Sequence, residues 1–259
     1  MLSLDTLLQY YPDSLKPFKR FILREYLQYK ILQILFESKL AHQLCFLGGT
    51  CLRIVHGNTR FSEDLDFDNF QLTGEDLIDL AQLICRKLTL EGYYVETKNV
   101  LKDAFHCYIR FPHLLFASSL SEHREEKILI QLDTDPQQFD FSPESYLLNK
   151  FDVFSNIFVV PLAILLAQNF WAVINRKRKK GRDFFDIVFL LSKTQPNFDY
   201  LSQKAGIKNW KGLQHEVLSI CDATDMKAMA NDVSPFLFHS QDINKVLLFK
   251  QYIHQLPVN

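Results

Sequence analysis

The sequence predicts an α/β fold, a mixed sheet with flanking helices followed by a mainly helical C-terminal region. Three patterns carry that expectation. Apolar residues recur at helical spacing through 17–38, short runs rich in β-branched, aromatic and aliphatic residues fall between 44 and 132, and helix-like segments dominate from 142 onward. The expected division is therefore an α/β unit over 1–141 and a mainly helical unit over 142–259. With 259 residues, 47% hydrophobic and 23% charged, the chain can bury a large core, and disorder is not expected.

Taken in order, Pro17 opens a long amphipathic helix in which Phe18, Phe21, Ile22, Leu27, Ile31, Ile34 and Leu35 share a face. A short strand over 44–47 enters Gly48-Gly49, a helical turn follows over 50–55, and 65–70 reads as a second strand. Thr73 is positioned to cap a helix running to about residue 90. Strands are expected at 93–97, 104–111 and 127–132, where branched and aromatic side chains partly alternate with polar ones. Beyond them, 157–160 reads as a buried strand, Pro161 occupies a favoured first-turn position, and helices are expected at 161–176, 182–192, 213–222 and 241–255. No internal repeat or low-complexity linker interrupts the chain.

Charge and cysteine usage narrow the function classes. A formal net charge of −1 means that a polyanionic partner has to be held by a local patch, not by the field of the whole molecule. Five cysteines, Cys45, Cys51, Cys85, Cys107 and Cys221, form no CxxC pair and no zinc-type cluster, so reduced and mostly buried thiols are expected. The start, Met1-Leu2-Ser3-Leu4-Asp5, brings an acid early and lacks the pattern of a secretory signal; a cytoplasmic protein is expected. The stretch 157–174 is nearly free of charge, but Pro161 interrupts it and Gln168-Asn169 sit inside it, so no membrane association is expected.

The most readable chemistry is Arg60-Phe61-Ser62-Glu63-Asp64-Leu65-Asp66-Phe67-Asp68-Asn69, downstream of Phe46-Leu47-Gly48-Gly49-Thr50-Cys51-Leu52-Arg53. Residues two apart on a strand point to one face, roughly 6–7 Å from each other, so Asp64 and Asp66 can share divalent cations. Gly48-Gly49 lets backbone N–H groups approach an anion closely. Together they suit a nucleoside triphosphate with Mg2+ or Mn2+, because two metal ions about 3.5–4 Å apart can neutralise the charge that develops in nucleotidyl transfer. Magnesium keeps several waters, so two protein carboxylates plus substrate phosphates suffice to hold it. Asp68 continues the alternation but reads as a strand-end residue facing solvent. The histidines His42, His56, His106 and His113 form no readable ligand set and are taken as surface or core residues.

Gly48-Gly49-Thr50-x-Leu52-Arg53, then Arg60-Phe61-Ser62-Glu63-Asp64-Leu65-Asp66-Phe67, then Arg182-Asp183-Phe184-Phe185-Asp186, resembles the AbiEii/AbiGii toxin branch of the nucleotidyltransferase superfamily, typified by the palm of DNA polymerase β. The three blocks come in the family's order and span most of the chain. The resemblance implies a palm-like sheet and a nucleotidyltransferase that moves a nucleoside monophosphate from a triphosphate to an acceptor, with pyrophosphate leaving. In toxin members that acceptor can be the 3′ end of a tRNA, and an antitoxin is usually encoded alongside. Carried over residue by residue, Gly48, Gly49 and Thr50 would cradle phosphates, Asp64 and Asp66 would bind metal, and Arg182, Asp183 and Asp186 would support the nucleotide site; by their residues alone these last three read equally as a salt-bridged helix start with acids near the positive dipole end. Arg53 and Arg60 would contact phosphates or brace the acid strand.

Two positions depart from the family pattern. The acid usually found on the neighbouring strand falls at Gln131, and an amide cannot act as a base; Asp133 on the same face is the candidate for a third carboxylate and reads equally as a strand-end residue. The lysine usually found in the helix after the sheet falls at Asn169, which offers neutral hydrogen bonds in place of a point charge. Replacement cations are at hand in Arg176-Lys177-Arg178-Lys179-Lys180-Gly181-Arg182, which reads equally as a solvated loop or as a patch for RNA or triphosphate oxygens. The expected function is thus a metal-dependent nucleotidyltransferase toxin acting on RNA. A catalytically impaired nucleotide- or partner-binding protein and transfer to a protein hydroxyl stand as alternatives.

Overall fold

The computed structural model describes residues 2–101, 105–136 and 138–257. The chain forms two compact units, one of residues 1–56 and 61–159, the other of residues 57–60 and 160–259.

The first unit opens with α1 (Leu4–Leu8), capped by the Ser3 hydroxyl, and α2 (Lys19–Phe36). Of the apolar side chains expected on one face of α2, Ile22, Leu27, Ile31, Ile34 and Leu35 are buried and Phe18 and Phe21 partly so, but Leu23, Tyr26, Leu32 and the polar Glu25, Gln28 and Lys30 are buried as well, so α2 is enclosed on more than one face. The sheet strands are β1 (Leu44–Leu47), β2 (Leu65–Asn69), β3 (Glu96–Leu101), β4 (Phe105–Phe111), β5 (Ile128–Pro136), β6 (Glu144–Lys150) and β7 (Val153–Val159). Their order is β3-β4-β5-β2-β1-β7-β6; β2 runs parallel to β5 and β1 parallel to β7, and the other neighbours are antiparallel. Three helices complete the unit: α3 (Gly48–Ile54), α4 (Gly74–Leu90) and α5 (Leu114–Ala117). Helix α4 starts at a reciprocal cap in which Asp76 Nα donates to Thr73 Oγ1 (3.2 Å) and Thr73 Nα to Asp76 Oδ2 (2.9 Å).

Period-two burial explains how this sheet can be both core and site. Leu35 of α2 and Leu77, Leu80 and Ala81 of α4 meet Leu44, Phe67, Phe105, Cys107 and Leu132 on one face. The intervening residues Asp66, Asp68, His106, Tyr108, Gln131 and Asp133 are only partly buried and lie on the other face. An apolar face is thus committed to packing, leaving a polar face for chemistry.

The second unit comprises α6 (Leu162–Asn175), α7 (Gly181–Leu191), α8 (Phe198–Ala205), α9 (Trp210–Asp222), α10 (Met226–Val233), α11 (Asn244–Leu247) and α12 (Phe249–Gln255). Gly181 is required where α7 meets α10, because a Cβ there would collide with the Met229 carbonyl oxygen. No helix among the described residues is long and apolar enough to cross a membrane.

The strand expected at 157–160 is present as the end of β7, but the mainly helical character expected from 142 onward is corrected for 144–156: β6 and β7 form an antiparallel hairpin within the first unit, so the units divide at 159/160 and not at 141/142. Its alternation is masked because outward positions carry Leu147 and Phe154, exposed hydrophobics, in place of polar residues. The strand expected at 93–97 lies later, at Glu96–Leu101, and β5 runs to Pro136. The helix expected at 241–255 is broken into α11 and α12, and α8 and α10 add to the expected set. Residue 104, assigned to a strand from the sequence, lies outside the described residues.

Candidate active site

Gly48 stands where β1 gives way to α3, at φ 77°, the left-handed region that glycine adopts without steric cost. A Cβ at that position would run into Asp66 Oδ2, so the Asp66 carboxylate lies directly against the glycine backbone. Register accounts for this proximity, since Leu47, the residue before Gly48, pairs with Asp66 across β1 and β2. The glycine pair and the second acid of the Asp-x-Asp are therefore one local structure.

Asp64 sits one residue before β2, and the buried Thr50 hydroxyl donates to its backbone carbonyl. The same approach segment is held at Ser62 and Glu63, whose carbonyls accept from Gln28 Nε2 at 3.1 and 3.0 Å, and by an ion pair between Glu63 and Arg24. Phe61 stacks on Phe21 with centroids 5.0 Å apart and 9° between planes. The motif Phe-Ser-Glu-Asp is thus anchored at every position before the acid strand starts.

On the far side of β2, Asp66 is in register with Asp133 of β5, which in turn pairs with His106 of β4. Neighbouring strands lie about 4.8 Å apart, so an acid, an acid and an imidazole make a row across one face. His106 Nδ1 is 2.7 Å from Asp133 Oδ1, while Gln131 Nε2 donates to Asp133 Oδ1 and Oδ2 at 2.8 and 2.9 Å. The Asp133 carboxylate is oriented from two sides. Among the described residues, no group of three or more His, Cys, Asp or Glu side chains is gathered as a metal cage.

The arginines expected near phosphates have other partners. Arg53 Nε donates to Glu25 Oε2 (2.9 Å), and Lys150 Nζ (2.8 Å) and the Tyr11 hydroxyl (2.7 Å) donate to Glu25 Oε1. Burial pushes the Glu25 carboxyl up, but the nearby Arg53 and Lys150 charges outweigh it and leave the group below its ordinary value. Lys150 is held below its usual range by burial, against the pull of Glu25. Arg53 thus ties α3, the helix of the glycine pair, to the middle of α2. Arg60, 1% exposed, lies in the second unit, where its Nε donates to Asp186 Oδ1 (2.7 Å) and its Nη2 also bonds Asp186. Asn58 Nδ2 donates to the same Oδ1 at 2.8 Å. A phosphate contact for Arg60 is corrected to an internal brace: a fully buried guanidinium already forked onto a carboxylate has no surface to offer a ligand.

In the second unit Asp183 is buried and accepts from Arg176 Nη1 at 2.9 and 2.6 Å. Burial raises its carboxyl above the ordinary range, only partly opposed by Arg176. Arg182 is half-buried beside it. Asn169 Nδ2 donates to the Leu165 carbonyl within its own helix at 2.8 Å, and Asp232 Oδ2 accepts from the Gly181 N–H at 2.8 Å. Lys177 and Arg178 of the basic run are exposed.

The profile of the family described as nucleotidyl transferase AbiEii toxin, Type IV TA system, matches residues 30–219. The chain belongs to this family. It is accordingly an AbiEii-type nucleotidyltransferase toxin, as its three motif blocks led us to expect, and the family assigns it to a type IV toxin-antitoxin system. The matched span includes the glycine pair, the acid strand and α7. Solved structures of similar fold include MenT4, a nucleotidyltransferase toxin from Mycobacterium tuberculosis H37Rv, with a TM-score of 0.60 at 16% identity over 99% of this chain and 91% of that one. JHP933 from Helicobacter pylori gives 0.56 at 16% identity over 91% and 92%. No curated protein matches the AbiEii chain in sequence.

Sequence reasoning missed His106 and Glu25. In Phe105-His106-Cys107-Tyr108 the alternation puts His106 on a polar face, but its pairing with Asp133 depends on a register between strands that no local pattern reveals. Glu25 looked like one polar residue of an amphipathic helix.

Proposed function

We propose that this AbiEii toxin transfers a nucleoside monophosphate from a nucleoside triphosphate to the 3′ end of an RNA, with tRNA as the favoured acceptor, acting in the cytoplasm under control of a cognate antitoxin. The observation that carries the reading is the Asp66 carboxylate lying against the Gly48 backbone, with the Asp64 backbone carbonyl held by Thr50 of the same helix start. An all-oxygen pair of half-buried carboxylates suits Mg2+ or Mn2+ and not a soft metal, so Asp64 and Asp66 would hold the ions and substrate phosphates would complete the shell. Bound there, the metal would supply charge neutralisation for the α-phosphate and the leaving pyrophosphate.

The protein's own residues do the rest. Gly48 and Gly49 let the chain pass close to phosphate oxygens, and Thr50, its hydroxyl engaged by Asp64, contributes through its backbone. Arg53 fixes α3 through Glu25. Exposed Lys177 and Arg178 supply local positive charge for an RNA backbone on a chain that is near neutral overall. Asp183 and Asp186 serve the helical unit as paired acids.

A second reading, a nucleotide-binding protein of reduced activity, is favoured by Asn169, whose amide is turned back onto a helix carbonyl and brings no charge. One experiment separates them. The full chain is incubated with Mg2+, each α-labelled nucleoside triphosphate and total tRNA, beside Asp64→Ala and Asp66→Ala controls. Label on RNA that both variants abolish supports the transferase reading; triphosphate binding with no transfer supports the second; label on protein alone would redirect the acceptor to a protein hydroxyl.

A further inference from the structure

We propose that His106, oriented by Asp133, is the general base that takes the proton from the acceptor hydroxyl. The inference rests on the nucleotidyl-transfer reading above and deepens it. Its ground is the row Asp66, Asp133, His106 across β2, β5 and β4, which places an imidazole two strands from the carboxylate that touches the glycine hinge.

The position usually filled by an acid carries Gln131, which cannot accept a proton in this way. Asp133 is poorly disposed to replace it directly. Its Oδ1 already accepts from His106 and Gln131, and its Oδ2 accepts from Gln131. That arrangement suits a carboxylate orienting a histidine. With Nδ1–H pointed at Asp133, the ring's lone pair lies on Nε2, where an imidazole nitrogen can accept a proton. The His106 and Asp133 side chains are 35% and 29% exposed, so the ring is open enough to meet a substrate and buried enough to stay oriented. In the step itself, the acceptor oxygen bonds to the α-phosphorus while its hydrogen passes to His106 Nε2. The bond from that phosphorus to the bridging oxygen breaks, and pyrophosphate leaves with the electron pair.

Among the described residues, Asp135 of β5 and Asp68 of β2, in register with each other, lie two residues beyond Asp133 and Asp66. Asp133 faces the His106 ring from β5 with Asp66 beyond; β3 places Val100 opposite and Lys98 one pair further along, beside Tyr108 of the ring's own strand. Helices α2 and α4 pack on the other face of the sheet.

The test uses His106→Asn, whose amide nitrogen falls near the place of Nδ1 and keeps the donation to Asp133 while removing the base. The full chain, Mg2+, the labelled triphosphate it prefers and total tRNA are assayed from pH 5 to 9, with melting curves to verify folding. We expect transfer to fall about 10²-fold or more at every pH assayed, with the triphosphate KM within about twofold. His106→Ala should regain activity with added imidazole, a response that a structural role would not give, and His106→Gln carries the same comparison should the Asn variant melt early. If wild type labels RNA, Asp66→Ala does not, and His106→Asn keeps the wild-type rate, the base assignment is overturned while the transferase reading stands. If wild type labels nothing with any triphosphate, both fall together.

Discussion

The carboxylates of the sheet unit and those of the helical unit are the same chemical group put to opposite uses. In the sheet, Asp66 lies against a glycine and in register with a second acid that is held by an amide and an imidazole, all partly open to solvent. In the helices, Asp183 and Asp186 are buried, and each is bound by an arginine. Buried charge is tolerated only when paired and hydrogen-bonded, so the helical acids are committed to the fold. The contrast lies in exposure and partners, not in residue type or motif membership: the sheet acids are partly open, whereas the helical acids are buried and paired with arginines.

The largest expected effect breaks the helical side of the comparison. Asp186→Ala strands the buried Arg60 guanidinium and removes the acceptor of Asn58, which should cost about 3–5 kcal/mol of stability. Urea unfolding checks it, with the loss appearing in the midpoint and any drop in transfer following the folded fraction. Asp66→Asn should do the reverse: about 10²–10³-fold less transfer, with a melting temperature within a few degrees of wild type. An Asp66 variant that melted early with undiminished specific activity would erase the distinction.

A smaller effect sharpens the sheet side. Gly48→Ala forces an L-residue to φ 77°, at about 1–2 kcal/mol, and drives its methyl into Asp66 Oδ2. The displaced carboxylate should lower transfer well beyond the modest loss in thermal stability, read from paired rate and melting measurements. Gly57, also at positive φ but with open space where a Cβ would go, is the control that carries backbone strain alone.

How much of this was legible in the sequence follows the same divide. Glycine pair and Asp-x-Asp could be read because the constraint is local: a turn needs Gly48, and strand alternation puts Asp66 on the polar face. Long helices α2, α4, α6 and α7 declared themselves through spacing and caps, α4 most clearly through Thr73. Non-local partnerships were beyond reach. Nothing around Arg60 announces Asp186, 126 positions away, and its place inside the signature motif suggested a ligand contact. The β6–β7 hairpin was hidden for a different reason, since exposed Leu147 and Phe154 blur the alternation that marks a half-buried strand.

The smallest effect concerns Asp183, the helical acid whose setting comes closest to that of the sheet acids. Burial raises its carboxyl above the ordinary value near 3.9 more than Arg176 lowers it, so between that value and the raised one the folded chain holds a proton that the unfolded chain has released. Stability contributed by this group is therefore complete at lower pH and declines as pH climbs through the window, by at most about 1.4 kcal/mol per pH unit for one proton. Asp183→Asn, which cannot ionise, should flatten that segment of the stability curve. It leaves the Arg176 head group, already 42% exposed, to water, so the loss at neutral pH should be under about 1 kcal/mol. Denaturant midpoints of both proteins from pH 4 to 7 check the sign. If stability instead rose with pH in wild type and not in the variant, the ion pair would dominate over burial, and Asp183 would belong with Asp186 as a plain structural brace.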